Sequence, residues 1–313
     1  MDFTVTVLGS SAALPTAMRQ CSAQVVNIEG FKMLIDCGEG AQNQIRRCRI
    51  KMQSISHIFI SHLHGDHFFG LPGLLSSMHL CTRVEPVNIY APKGIRQLLD
   101  NLLVGTGASL GYDINYFEME GNDPMVLFEN NKCKVTAFPL IHSVPTYGFL
   151  VEEQPQLLNL KRGVKDEYNL AFDDMMRIKS GADYALPDGT VVPNAMLTKP
   201  PKPIKKYAYC CDTLYSETLL PYIKDVDLLC FDCTFDKSLT AIAEEKLHGT
   251  TLSAAAAATD ANAKKLMLTH FSARYSEVDD LVLEAQTIFP NTIAAYDGMR
   301  YEVYCLKGLG CTL

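Results

Sequence analysis

The chain has 313 residues, 48% hydrophobic and 20% charged, with 28 basic against 35 acidic side chains and a formal charge of −7. These proportions exclude a disordered tail protein, and no apolar run nears the roughly 18 residues of a spanning helix. Net acidity excludes a nonspecific nucleic-acid coat but leaves room for a local basic groove.

In chain order, alternation predicts strands at Phe3–Leu8, Val25–Ile28 and Phe31–Asp36. After Gly40, the apolar residues Ala41, Ile45, Cys48 and Met52 recur at helical spacing, with Arg46, Arg47 and Arg49 on the outside. Strand Ile55–Ser61, helix Leu71–Thr82, strand Val87–Ala91 and helix Gly94–Leu103 follow, then strands Lys132–Phe138 and Thr146–Val151. The second half predicts strands Lys206–Asp212, Val226–Asp232, Lys264–Thr269, Thr292–Asp297 and Arg300–Cys305. Between them fall helices Tyr215–Lys224, Lys237–Glu245, Leu252–Ala263 and Glu277–Phe289. The class is mixed α/β in one domain over 1–313.

Residues 152–205 break this rhythm. Six prolines and three glycines make long regular elements unexpected there, and the segment reads as an inserted arm. Its Lys161, Arg162, Lys165, Lys199, Lys202, Lys205 and Lys206 suit either contact with a polyanion or a solvated surface.

The densest chemistry is Ser61-His62-Leu63-His64-Gly65-Asp66-His67, directly after an apolar strand. Residues two apart on extended backbone point the same way, so His62 and His64 face one ion, while the turn at Gly65 redirects Asp66 and His67 toward a second. Burying three imidazoles and a carboxylate together without a cation is costly. His142, Asp212 and His270 each fall at or just beyond the carboxyl end of a predicted strand, where α/β folds assemble sites. Alone, each is more often a satisfied core or surface residue. With the first cluster they supply five histidines and two aspartates, the donors for two divalent ions sharing a bridge: zinc by default, with manganese or iron also suited. Such a pair fits hydrolysis at phosphorus. His248, before an Ala-rich helix, is the remaining candidate for general acid. His57, in a strand, and His79, in a helical pattern, read as structural.

Eleven cysteines spread from Cys21 to Cys311 without a disulfide-scaffold spacing. With an acid at Asp2 where an export signal needs basic residues, they read as reduced thiols, and the expected compartment is the cytoplasm. Cys210, Cys211, Cys230 and Cys233 read as small buried residues whose side chains diverge to opposite sheet faces.

Several strings carry a resemblance: Leu8 to Pro15; Asp36-Cys37-Gly38-Glu39-Gly40 with Gln42 and Gln44; His62 to Leu74; Leu268 to Tyr275; and Ala295 to Met299. Along nearly its whole length the chain resembles the metallo-β-lactamase superfamily, and within it the RNase Z family of tRNA 3′-processing endonucleases. The resemblance implies an αβ/βα four-layer sandwich with an inserted arm. It implies one zinc on His62, His64 and His142, a second on Asp66, His67 and His270, and Asp212 bridging. It further implies Asp66 as proton acceptor from the attacking water, His248 as proton donor to the leaving group, and Asp232 as the acid orienting His248. The substrate is expected to be precursor tRNA, the arm of a homodimer's neighbouring subunit gripping its elbow.

The chain departs from the family pattern at five positions: Cys211 replaces a glycine, Phe231 and Asp232 a His-Glu pair, Gly249 a serine, and Ala17 a lysine. The arm also lacks a Gly-Pro signature. Two other functions compete with precursor tRNA processing. A phosphodiesterase or hydrolase of small substrates would use the same metal site without the arm. A noncatalytic RNA-binding module would have no use for seven donors and a general acid.

Overall fold

The computed structural model of the chain describes residues 2–107 and 109–304. Two compact units make up the chain, one of residues 1–153 with 205–313 and one of residues 154–204.

The larger unit is built on two seven-stranded sheets. The first runs in the order Arg300–Glu302, Phe3–Gly9, Ala23–Ile28, Phe31–Cys37, Ile55–Phe59, Val87–Pro92, Ile114–Met119. Its first four strands pair antiparallel and the rest parallel. The second runs Thr292–Ala294, Leu266–Thr269, Leu228–Asp232, Lys206–Cys210, Tyr147–Glu153, Cys133–Pro139, Met125–Glu129, parallel at one end and antiparallel at the other. Strand alternation sorts side chains into three cores. In Lys206–Cys210, Tyr207 and Tyr209 enter the core between the sheets, with Phe3, Phe59 and Phe149. Ala208 and Cys210 face the other way, against Ala254, Ala257, Leu281 and Ile223 of the outer helices. On the first sheet's outer face, Leu34, Ile58 and Ile89 pack against Ile45, Leu74, Leu75 and Leu99. Helices, sheet, sheet, helices is the αβ/βα sandwich, and it is why the central strands are buried on both faces.

All twelve expected strands are present, six of them shorter. Ile55–Phe59 and Lys206–Cys210 stop before Ser61 and Asp212, since the chain turns there to present those side chains. The last strand spans Arg300–Glu302, and Cys305 lies outside the described residues. Edge strands Ile114–Met119 and Met125–Glu129 were not expected, because an edge is partly exposed on both faces and carries no clean alternation.

The smaller unit carries short regular elements only. Phe172–Lys179 is a two-turn helix, Val164–Glu167 and Asn194–Leu197 are single turns, and two short antiparallel pairings complete it. Val164, Leu170, Ile178 and Leu197 form its own small core. Its charges are balanced, seven basic against six acidic over 154–204. Asp173 and Asp174 in the first turn of Phe172–Lys179, with Arg177 and Lys179 in the last, suit the helix dipole. Lys161, Arg162, Lys165, Lys199 and Lys202 are exposed. Lys205 and Lys206, grouped with the arm on sequence, belong to the larger unit and pair with Glu153 and Glu152 at 3.8 and 3.4 Å. No described helix is long and apolar enough to cross a membrane.

Candidate metal centre

The candidate residues converge on the carboxyl ends of the strands, at one edge of the larger unit. Ser61 to His67 follow Ile55–Phe59, His142 follows Cys133–Pro139, Asp212 follows Lys206–Cys210, Asp232 ends Leu228–Asp232, and His270 follows Leu266–Thr269. Holding the donors in place takes backbone conformations that side chains rarely adopt. Asp212 (φ 56°), His270 (φ 61°), Asp36 (φ 55°) and Ala13 (φ 57°) are all left-handed, each costing about 1–3 kcal/mol that the packed sandwich must offset. Glycine is required at Gly38, where a β-carbon would meet the Asp66 carbonyl oxygen at 2.1 Å.

Two donor groups share Asp212: His62, His64 and His142 with Asp212, and His67 and His270 with Asp212, each with its ligand atoms within 4.8 Å of one another. Nε2 of His62 lies 3.4 Å from Asp212 Oδ2, and Nε2 of His67 and His270 lie 3.3 and 2.9 Å from Oδ1. Asp66 Oδ2 joins the second group, 3.5 Å from Nε2 of both His67 and His270 and held by the Ala13 N–H at 2.8 Å. Cys211 also reaches this group; its Sγ is 3.2 Å from Asp212 Oδ1, and burial pushes the thiol's pKa well up.

The electrostatics are those of a cation site. Burial raises the Asp212 carboxyl, yet His270, His67 and His62 override it and hold the acid well below the usual range. Burial likewise opposes charge on His67 and His270, and the aspartates override it, raising both. His62 is pushed down to about 4, by burial first and then by charge on His67. Its buried Nε2 has no hydrogen-bond partner although it faces a carboxylate. A divalent cation between them would satisfy both, so the residues fit the metal the donor set implies.

Behind the donors lies a second layer that sequence reasoning missed. Asp36 is fully buried and takes hydrogen bonds from His67 Nδ1 (2.7 Å), the Ser61 N–H (2.7 Å) and the Tyr209 hydroxyl (2.8 Å). His270 Nδ1 meets Thr234 Oγ1 at 2.9 Å, His62 Nδ1 meets Ser61 Oγ at 3.1 Å, and His142 Nδ1 faces the Leu247 carbonyl at 3.3 Å. Each contact fixes a ring so that Nε2 points inward. The available signal was Asp36 itself, an acid closing an apolar strand. His248 stands beside the donors, its Nδ1 2.9 Å from Asp232 Oδ2 and its ring 5.4 Å from that of His270. His57 instead packs on Phe31 and Phe128, and His79 Nδ1 accepts the Gly111 N–H. Cys211 and Cys230 enter the inter-sheet core while Cys210 and Cys233 enter the helix-side core, dividing as expected.

The first turn and the C-terminal strings also meet here. Half-buried Asp297 accepts from Ser10 Oγ (2.9 Å), the Gln20 N–H (2.6 Å) and Gln44 Nε2 (3.1 Å), and Arg19 donates to the Tyr275 and Ser276 carbonyls.

Fold and donors together define a divalent-metal site of the metallo-β-lactamase fold. A family model described as "Anti-Pycsar protein Apyc1" matches residues 3–158. Over 297 residues the chain is 42% identical to a ribonuclease Z of Bacteroides thetaiotaomicron, covering 95% of this chain and 94% of that one. A ribonuclease Z of Prochlorococcus marinus is 36% identical over 311 residues, 96% of this chain and 99% of its own. The crystal structure of the short form of human tRNase Z superposes with a TM-score of 0.70 at 28% identity, covering 96% and 99% of the two chains. The chain belongs to the ribonuclease Z family of endoribonucleases.

Proposed function

We propose that the chain removes the 3′ trailer of precursor tRNA by hydrolysing one phosphodiester, leaving a 3′ hydroxyl on the tRNA and a 5′ phosphate on the trailer. The carrying observation is the shared Asp212 carboxylate, with its two oxygens facing two different sets of histidines. Two zinc ions suit these sets: one on His62, His64 and His142, the other on Asp66, His67 and His270. Bound there, the metals supply a water of lowered pKa and neutralise charge on the phosphoryl oxygens.

The chain's own residues do the rest. Asp66, whose Oδ2 is anchored by the Ala13 N–H, accepts the proton of the attacking water. His248 delivers a proton to the departing 3′ oxygen. Burial disfavours its charged form, but the Asp232 carboxylate, by charge and hydrogen bond, raises its pKa, so the imidazolium is retained nearer neutral pH. Asp232 acts through His248 and is a positioning residue.

Residues 154–204, with Lys161, Arg162, Lys165, Lys199 and Lys202 exposed, supply phosphate contacts to the tRNA body in this reading. The working form is a homodimer. Nine described cysteines are free thiols, which supports a cytoplasmic setting. Activity on a precursor tRNA and on a small phosphodiester separates this reading from a small-substrate hydrolase. Removal of 154–204 should abolish efficient tRNA cleavage and spare the small diester, while equal loss of both contradicts the assignment.

A further inference from the structure

The chemistry above gives Cys211 no work, although its sulfur lies within 4.8 Å of the ligand atoms of His67, Asp212 and His270. The residue stands where the family pattern has a glycine, so the thiol is an addition of this chain. Asp66 and the rings of His62, His67, His142 and His270 are each steadied by a hydrogen bond from behind. Asp212, the carboxylate shared by both donor groups, is steadied by Cys211, whose thiol donates to Oδ1 at 3.2 Å. Among the described residues, no other group outside the histidines bonds either oxygen of Asp212.

That bond is one-sided. Oδ1 is the oxygen that faces His67 and His270, at 3.3 and 2.9 Å, whereas Oδ2 faces His62 and His142 at 3.4 and 3.8 Å. The sulfur itself belongs to the inter-sheet core, fully buried and hydrogen-bonded with Tyr209, whose hydroxyl donates to Asp36. Asp36 in turn holds the far side of the His67 ring at 2.7 Å. Cys211, Tyr209, Asp36, His67 and Asp212 thus close a ring of contacts beside the second group. Asp66, His67, His270 and Asp212 already supply the four donors of a tetrahedral ion, which leaves the sulfur in the layer behind them. We propose that Cys211 is a positioning residue for the bridging carboxylate. Its thiol holds Oδ1 toward His67 and His270, and so tightens the hold on the ion at Asp66, His67 and His270 without affecting the ion at His62, His64 and His142. The proposal rests on the two-ion reading of the donors.

Zinc affinity measured ion by ion tests it, by competition between metal-stripped protein and a chromophoric chelator, with circular dichroism confirming the fold of each variant. Wild type should bind two ions. Cys211→Ala and Cys211→Gly should keep one at wild-type affinity and hold the other about 10- to 100-fold more weakly, the usual effect of removing a partner behind a metal ligand. Cys211→Ser, which retains a donor at the same place, should hold both close to wild type. Added to His64→Ala, which spares the second group, Cys211→Ala should weaken the remaining ion; added to His270→Ala, which spares the first, it should not. Cobalt-loaded wild type should show no sulfur-to-cobalt charge-transfer band. Unchanged affinities in Cys211→Ala, equal weakening of both ions, or serine behaving as alanine would overturn the assignment, because a cysteine that merely filled space would not tell the two ions apart. A sulfur-to-cobalt band would overturn it too, by making the sulfur a ligand. Two ions in the wild type with no difference among the variants sinks this assignment alone, whereas fewer than two ions in the wild type contradicts the two-ion reading along with it.

Discussion

Nδ1 of His248 lies 2.9 Å from Oδ2 of Asp232, and the other oxygen of that carboxylate accepts from Thr234 Oγ1 at 2.7 Å, which in turn meets His270 Nδ1 at 2.9 Å. One buried acid thus links His248 and His270, so under the proposed roles disturbing it should be felt in proton delivery and in metal binding.

The proton-transfer role separates by leaving group. His248→Ala should lose about 10² to 10⁴ in single-turnover rate on normal RNA, as removal of a general acid does when the leaving oxygen is poor. A substrate with sulfur in place of the bridging 3′ oxygen leaves without a proton, and on it the variant should recover most of its rate. Asp66→Ala should not recover. Equal defects of His248→Ala on oxygen and sulfur contradict the role. The pH dependence carries a sign. A general acid works while protonated, so the rate falls as pH rises through the His248 pKa, which Asp232 raises. Asp232→Asn should therefore move the alkaline decline to lower pH.

Gly249 explains how a short acid serves where the family carries a longer one. A β-carbon at 249 would lie 2.2 Å from the Asp232 carbonyl oxygen and 3.2 Å from its β-carbon. With no side chain there, the residue after His248 sits directly on the strand end, and Asp232 reaches the ring. Gly249→Ser should push the two apart, costing about 1–3 kcal/mol in chemical denaturation, in the range of overpacking. It should also slow cleavage on oxygen more than on sulfur leaving groups.

Asp36 should tune the metal without touching it. Asp36→Asn weakens the contact that orients His67 and should lower metal affinity by about 10- to 100-fold, measured by competition with a chromophoric chelator. Asp212→Ala and His64→Ala should each leave fewer than two ions per chain by mass spectrometry, with near-wild-type circular dichroism. Two ions retained in Asp212→Ala would contradict the shared-carboxylate site.

The donors were legible in the sequence because their chemistry is local. Four donors in six residues at a strand end have no cheap apolar explanation, and His142, Asp212 and His270 follow strands that alternation alone predicts. Asp36 was not, because its role is made by Tyr209 and His67, far away in the chain. Thr234 and the Leu247 carbonyl were hidden for the same reason. Within the arm, prolines and glycines argued against long regular elements, and the elements there are short. Those prolines and glycines fall at the ends of its helices and antiparallel pairs, and the small core of Val164, Leu170, Ile178 and Leu197 orders the rest.

Deletion of 154–204 is structurally mild for the larger unit. The Glu153 N–H donates to the Lys205 carbonyl at 2.9 Å, so a short glycine link can join the two ends. The deletion variant should keep its metal and bind tRNA more weakly, with a smaller salt dependence, as loss of the proposed phosphate contacts implies. Unchanged tRNA affinity at several salt concentrations would assign the arm another role.

The central claim is tested most directly by end mapping. Purified protein loaded with zinc is incubated with a 5′-labelled precursor tRNA bearing a 3′ trailer, and the product ends are mapped and chemically identified. The account predicts one cut after the discriminator base, with a 3′ hydroxyl on the tRNA and a 5′ phosphate on the trailer. A cut elsewhere, a 3′ phosphate on the tRNA, or stepwise shortening of the trailer would contradict it.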